Sequence, residues 1–494
     1  MKLKSLLGWS SALCLCAMTL QAQTANEIEP LRKQLKELQD QFQRQQEAQR
    51  QQIDALTRKI ESLEKAPPRL DSATAAPQPA PADVTTPRPW RPTDPLRLGT
   101  GRAYLDVSLD ALFAAGGSTA RDIEGGTQLG AHDPNQRGFT VQNVELTLAG
   151  AVDPYFRAQS SIVYQLNSAG ESIFELEEAF AETQSLPGGL QLRAGQFFTE
   201  FGRHNPTHPH AWSFVDQPLV NGRFFGGDGL RNPGARFSWL APTPFYAELF
   251  LTVQSSHGET AESFRSEHEG EAYLGRIGAA GRVRSPGDLL FTPRLATSFE
   301  LTDTQTLLLG ASAALGPNAS GTDTDTRIFG FDVTWKWRPA NHHAGFPFVS
   351  WTTEGMWRRY QAAAFNWDLN NNTTVDPDER DGDANGVPDL YPREQLQDHG
   401  LYSQVAWGFR KGWVAALRGD WLGGKRAQYE NLFLGPDPQR DSRWRLSPNL
   451  TWFPSEFSKV RFQYNYDDRK NIGVDHSLWL QFEFSLGAHP AHKF

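Results

Sequence analysis

The 494-residue chain has only two cysteines, Cys14 and Cys16, and both lie in an apolar run near the amino terminus. That run, residues 6–20, follows Lys2 and Lys4 and precedes Ala22, the layout of a secretory leader rather than a spanning helix. The leader is expected to cover residues 1–22, so a mature chain starting near Gln23 has no thiol, which excludes disulfides and cysteine-ligated metal. Leu13 and Leu15 stand before the cysteines where a lipid anchor calls for a small residue, which argues against a lipoprotein. Beyond the leader no apolar run approaches the roughly 20 residues that a helix needs to cross a bilayer. Basic excess is missing as well: the formal charge of -9 becomes -11 once Lys2 and Lys4 are removed, which argues against a nucleic-acid partner. No Gly-x-Ser-x-Gly elbow, phosphate-cradling glycine loop or His-Glu-x-x-His pair occurs, so no enzymatic activity is expected.

What the chain does contain is alternation. From about residue 98, strand-length segments set apolar residues against polar ones with period two. Leu105, Val107, Leu109, Ala111 and Phe113 alternate with Asp106, Ser108 and Asp110, and Val144, Leu146 and Leu148 with Asn143, Glu145 and Thr147. Phe331, Val333, Trp335 and Trp337 alternate with Asp332, Thr334 and Lys336, and Val460, Phe462, Tyr464 and Tyr466 with Arg461, Gln463, Asn465 and Asp467. Near the carboxy terminus Leu480, Phe482, Phe484 and Leu486 alternate with Gln481, Glu483 and Ser485, and Phe494 ends the chain on the apolar parity. This last segment resembles the final strand of a bacterial outer-membrane barrel, whose terminal aromatic residue is read by the barrel-assembly machinery. A chain that spans lipid without helices must close into a barrel, because only closure satisfies every backbone group. The expectation is an all-β fold, a transmembrane antiparallel barrel, with the apolar set facing lipid and the charged set a wet lumen.

Counting from residue 99 leaves 494 − 98 = 396 residues for the barrel. About 16 strands (16–18) would have roughly 25 residues each including loops, whereas 22 would have about 18 and no room for an internal plug. Ahead of the barrel, Leu31, Leu35, Leu38 and Phe42, then Ile53, Leu56, Ile60 and Leu63, recur at helical spacing around a glutamine-rich middle. Residues 23–65 therefore read as a periplasmic coiled-coil helix with a phase shift near Gln49, or as one solvated amphipathic helix. Residues 66–97 are rich in proline and read as an extended linker.

The segment 192–233 follows an acidic strand at 174–183 and contains Gly195, Gln196 and Phe197 leading into a long stretch with Arg203, His204, His208, His210, Trp212 and Asp216. It resembles the phosphate-selective porin O/P family of trimeric outer-membrane barrels, in which such a strand leads into a loop folded into the pore. It is also similar to porin-sized proteins labelled zinc-regulated TonB-dependent outer-membrane receptors, which share the text around His208–Trp212, Phe214–Val220 and Leu230–Ala235. The resemblance implies a homotrimer in the outer membrane with a pore loop near 197–233. The chain departs from the phosphate-porin pattern at Phe198 and Glu200, where that family has lysine and proline, so general solute passage carries over more safely than phosphate selectivity.

A constriction loop acts by narrowing the bore and fixing charges where water is scarce. Arg203, Arg223, Arg231 and Arg236 are candidates for binding phosphate or carboxylate through guanidinium forks, or for pairing with Asp216 and Asp228. His204, His208 and His210 are candidate zinc ligands, although Pro206 and Pro209 preclude a helical turn that would align them, and satisfied loop histidines are the other reading. The stretch His257, Glu259, Glu262, Glu267, His268, Glu269 and Glu271 adds acidic and imidazole groups, or is a solvated outer loop.

A calcium signal sits within an Asp/Asn-rich loop at about 366–396. Asp381, Asp383, Asn385, the Val387 carbonyl and Asp389 occupy positions 1, 3, 5, 7 and 9 of an EF-hand-like frame, with Gly386 at position 6. Asp368, Asn370, Asn372, Asp376 and Glu379 match positions 1, 3, 5, 9 and 12 of a second frame, with Thr373 in place of glycine. Structural Ca2+ is the expectation, and a merely acidic turn-rich loop the alternative. The sequence thus predicts passive diffusion of small hydrophilic solutes, anions such as phosphate among them. The alternatives are uptake of a metal ion such as zinc, and a structural barrel tethered to peptidoglycan or a periplasmic protein through the coiled coil.

Overall fold

The computed structural model describes residues 96–100, 103–266, 272–278, 281–432 and 437–487. The expected leader, coiled coil and nearly all of the linker, the terminal Phe494, and Glu267, His268, Glu269 and Glu271 lie outside the described residues.

Sixteen strands close a barrel. They are Ala103–Ser118, Gly138–Ala151, Phe156–Leu166, Ser172–Thr183, Leu190–Phe198, Arg231–Leu240, Tyr246–Ser255, Leu289–Thr302, Gln305–Pro317, Asp325–Trp337, Phe348–Ala362, Glu394–Arg410, Trp413–Gly424, Arg443–Ser455, Ser458–Arg469 and Gly473–Leu486. Each pairs antiparallel with its neighbours in the chain, and Ala103–Ser118 pairs with Gly473–Leu486 from Leu109↔Leu486 to Ser118↔Ser477, which closes the sheet. A short strand, Leu96–Thr100, pairs with Ala103–Val107 just beyond that seam.

The longest connections share one end. One end carries 199–230, 256–288 and 363–393; the other carries turns as short as 303–304, 411–412 and 456–457. The side chains sort as the alternation predicts. Leu480, Phe482, Phe484 and Leu486 are exposed outside while Gln481, Glu483 and Ser485 are buried inside. Trp351, Trp357, Trp407 and Trp421 add exposed aromatic area to the outer surface.

The interior departs from the expected wet lumen. Inward-facing Glu354, Arg418, Arg445, Arg461 and Gln463 are buried, because loops fold in against them. The helix Leu219–Phe225 packs Leu219, Val220, Phe224 and Phe225, with Phe201 and Leu230, onto wall residues Ile328, Met356, Tyr402 and Leu422. Burying each such side chain contributes about 1.5–3 kcal/mol, so an apolar wedge holds the segment inside a polar barrel. A second cluster of Tyr273, Tyr360, Trp367, Tyr391 and Tyr429 ties three long loops together over one end. Arg276 sits within it and donates to the carbonyls of Ala363 (2.7 Å), Leu274 (3.0 Å) and Pro392 (2.8 Å).

Two irregularities shape the wall. Ser172–Thr183 pairs with Leu190–Phe198 only from Ala179↔Gln196 to Glu182↔Arg193, so its first half lacks a backbone partner on that side. Gln196 Nε2 covers part of the gap by donating to the Leu176 carbonyl at 2.6 Å. The same strand carries a bulge: Ser161 opposes Glu178 and Ile162 opposes Leu176, leaving Glu177 as the extra residue. A bulge breaks the alternation, and here it turns the consecutive Glu177 and Glu178 both inward.

Candidate functional site: a loop bonded to opposite walls

The segment 199–230 leaves the wall after Phe198 and turns at Gly202 (φ +61°), where a Cβ would overlap the Glu354 carboxylate. Only glycine fits that approach. Gly202 N donates to Ser312 Oγ (3.1 Å), and Arg203 N and His204 N donate to Glu354 Oε2 (3.3 and 3.2 Å). Tyr402 OH donates to the same oxygen at 3.0 Å.

Asp216 fixes the segment to the nearby strands Trp413–Gly424, Arg443–Ser455 and Ser458–Arg469. Fully buried, it accepts from Arg418 Nη2 (2.6 Å), Arg445 Nη1 (3.1 Å), Gln463 Nε2 (2.9 Å) and Asn465 Nδ2 (2.8 Å). Around it Arg461 donates to the carbonyls of Phe214 and Trp212 (both 2.9 Å), Lys459 to that of His210 (2.6 Å), and Asn449 to that of Ser213 (2.9 Å). Leu219 N donates to Asp420 Oδ1 at 3.0 Å. This wall is basic. The wall on the other side of the loop is acidic, with Glu145, Glu177 and Glu178 buried behind His208 and His210. The segment therefore lies between opposite fixed charges.

The predicted arginines do not converge. Arg231 and Arg236 lie in a wall strand, Arg231–Leu240, and are paired there: Arg231 with Glu175, and Arg236 Nη1 with Glu200 Oε1 at 2.7 Å. Arg223, on the helix, donates to the Asp441 carbonyl at 2.7 Å, and Arg203 faces Asp332 and Glu354. Neither Asp216 nor Asp228 pairs with these four in the way the sequence suggested; Asp216 goes to Arg418 and Arg445, and Asp228 Oδ1 lies 3.8 Å from His132 Nε2.

The three histidines do not form one cluster. His204 packs against Trp212 and Tyr402 at centroid separations of 5.0 and 6.3 Å, and burial, then the charge of Arg418, pushes its imidazole down to about 3. His208 and His210 stack at 5.6 Å on the acidic wall. Burial opposes a proton on His208, but Glu145 and Glu177 outweigh it and raise its pKa.

In the loop 363–393, the oxygens of Asp381, Asp383 and Asp389 lie within 4.8 Å of one another. Asp381 accepts from Asn385 N (3.0 Å) and Gly386 N (2.8 Å), and Asp368 accepts from Asn372 N (3.0 Å) and Thr373 N (3.1 Å). Both frames also place positions 4 and 6 at positive φ: Asn371 and Thr373 in one, Ala384 and Gly386 in the other. The two frames thus share one backbone turn. In the first, Asn370 and Asn372 donate to Asp376, and Glu379 accepts from Leu369 N and Asp376 N. Val387 N donates to Asn385 Oδ1 at 2.8 Å.

Sequence reasoning missed the wall partners. Glu177 and Glu178 were legible as a break in alternation, since Phe174 and Leu176 share one parity and Ala179 falls on the other. Nothing local marks Arg418 or Arg445 as partners of Asp216, which lies about 200 positions away.

No family model matches the chain. An uncharacterised protein of Aquifex aeolicus (strain VF5) is 29% identical over 425 residues, covering 80% of this chain and 81% of its own. Solved structures similar to the chain are outer-membrane porins and channels. The outer-membrane channel DcaP of Acinetobacter baumannii is 12% identical, covers 78% of this chain and 97% of its own, with a TM-score of 0.46. OprB of Pseudomonas putida is 10% identical, covers 77% and 94%, with a TM-score of 0.45. The anion-selective porin of Comamonas acidovorans is 8% identical, covers 77% and 100%, with a TM-score of 0.44.

Proposed function

We propose that the barrel is an outer-membrane channel for passive diffusion of small hydrophilic solutes, with the segment 199–230 setting its narrowest cross-section. The observation that carries this reading is the bonding of that segment to opposite walls, through His208 to Glu178 on Ser172–Thr183 and through Asp216 to Arg418 on Trp413–Gly424. Such a loop leaves only a narrow path between acidic and basic surfaces, where fixed charge acts strongly on a passing ion. Anion preference, phosphate included, belongs to the same proposal and rests on Arg461, whose bonds go to Thr451, Gln481 and the carbonyls of Phe214 and Trp212, rather than on Arg203, Arg223, Arg231 and Arg236 as a group. A homotrimer, insertion through Phe494, and contact of residues 23–65 with peptidoglycan or a periplasmic protein are its further parts. The test is planar-bilayer conductance of the purified protein in a KCl gradient, with and without phosphate. Small stepwise conductance is expected; a folded barrel that gives no steps overturns the reading in favour of metal uptake or a structural tether.

The loop 363–393 is proposed to hold structural Ca2+ in its two frames, where the ion offsets carboxylate repulsion. Limited proteolysis is expected to cleave this loop several-fold faster in chelator than at about 1 mM Ca2+, the range of extracellular calcium modules. Equal cleavage rates would remove Ca2+ from the account.

A further inference from the structure

The acidic wall contains a histidine whose two ring nitrogens face different surroundings. His208 Nε2 lies 3.0 Å from Glu178 Oε2, and Glu178 is itself held by Phe198 N donating to Oε1 at 3.0 Å. With the Nε2 hydrogen on Glu178, a metal ion that displaces the proton favoured on Nδ1 by Glu145 and Glu177 meets a lone pair there. That nitrogen faces two more carboxylates: Glu177 Oε2 at 2.8 Å and Glu145 Oε2 at 3.3 Å. Neither His208 Nδ1 nor either oxygen of Glu177 makes a hydrogen bond of acceptable angle, although Glu177 is 0% exposed. A buried carboxylate without a hydrogen-bond donor costs several kcal/mol unless a cation compensates it. Glu145, Glu177, Glu178 and Asp228 are met here by Arg231, which is already on Glu175 and 3.9 Å from Glu177, and by His132, whose Nε2 lies 3.5 Å from Glu177 Oε1 and 3.8 Å from Asp228 Oδ1.

We propose that Glu145, Glu177 and His208 form a binding site for a first-row divalent transition-metal ion. Their ligand atoms lie within 4.8 Å of one another. The His208 Nδ1 spacings of 2.8 and 3.3 Å approach the roughly 3.4 Å edge that a tetrahedron with bonds of about 2.1 Å requires. One imidazole and two carboxylates suit zinc, manganese or iron better than calcium, which prefers oxygen alone. The surroundings are those that metal-bound histidine takes elsewhere, a carboxylate on the distal ring nitrogen. Glu145 is oriented in the same way, by Thr147 Oγ1 on Oε1 (2.9 Å) and by His210 Nδ1, 3.2 Å from Oε2. The bulge at Glu177 is what makes the arrangement possible, since regular alternation would send Glu177 or Glu178 out to the apolar surface. The site differs from the trio His204, His208 and His210, because His204 is packed on Trp212 instead.

The test reads metal directly and does not depend on conduction. Full-length protein, refolded in detergent, is stripped with chelator, equilibrated with Zn2+, desalted and assayed for metal content and zinc-edge X-ray absorption. One equivalent per chain is expected, with a mixed imidazole and carboxylate shell at about 2.0–2.2 Å. Glu177→Gln and His208→Gln are expected to weaken zinc affinity at least tenfold, and Glu178→Gln by about 10–100-fold, as for partners that orient a ligand. His204→Gln is expected to retain it. Heat-modifiable gel migration reports whether each variant has folded, and if the ligand variants do not fold, the wild-type absorption spectrum decides. No retained zinc, an oxygen-only shell, or loss of binding in His204→Gln would overturn the site.

Discussion

Replacing Asp216 with alanine is expected to raise single-channel conductance at least twofold and to lower the thermal stability of the barrel. The carboxylate is fully buried and is the common acceptor for four wall side chains, Arg418, Arg445, Gln463 and Asn465. Its removal leaves Arg418 to Asp420 and Arg445 to Asp467, and strips the loop of the carboxylate that these wall side chains share. Breaking one side of a buried ion pair costs about 3–5 kcal/mol. The bonds from Arg461, Lys459 and Asn449 to loop carbonyls remain, so the segment is expected to loosen rather than leave the interior. Asp216→Asn, which keeps oxygen and shape but not charge, should fall between the two. Bilayer recordings and the temperature of the gel-mobility shift measure both effects. Unchanged conductance with lowered stability would mean that the segment does not set the narrowest passage.

The barrel wall was legible because its physics is local: one residue in, one residue out. Leu480 and Gln481 declare their faces within two positions, and a chain that crosses lipid with strands must close to satisfy its backbone. The interior was not legible in that way. Alternation identifies Glu145, Arg461 and Gln463 as inward-facing, but does not say whether water or another part of the chain meets them. The answer lies in the apolar residues of the segment itself. Leu219, Val220, Phe224 and Phe225 would be out of place in a solvated loop, and their burial against Met356, Tyr402 and Leu422 draws the segment into the barrel.

The arginines illustrate the same limit. Arg231 falls within the segment whose composition suggested a pore loop and Arg236 just beyond it, yet both belong to the returning strand, and their charges are spent on Glu175 and Glu200. The counter-charges in the interior come instead from strands far along the chain. Pairing across a barrel has no sequence period, so it is visible only once the register is known. The calcium frames lie at the opposite extreme: every ligand position falls within one loop, and the two matching backbone turns follow the spacing directly.

An arginine at Leu480 would separate a lipid-facing wall from a water-facing one. Leu480 lies midway along Gly473–Leu486, is 49% exposed, and stands opposite Ala115 and Phe462 on the neighbouring strands. If its surroundings are lipid, Leu480→Arg is expected to cost about 2–4 kcal/mol at the bilayer midplane. If they are water, an exposed substitution of this kind stays within about 0.5 kcal/mol. Urea titration of folding into phospholipid vesicles measures the difference, and the gap is wide enough for one variant to decide. Gln481→Leu, one residue along and inward, provides the contrast. It loses the bonds to Arg461 and Gln142, both 2.8 Å, so it is expected to destabilise the protein through unpaired polar groups. A polar residue harmful outside and an apolar residue harmful inside is the reverse of what a water-soluble barrel would show, since there the inward face is the apolar one.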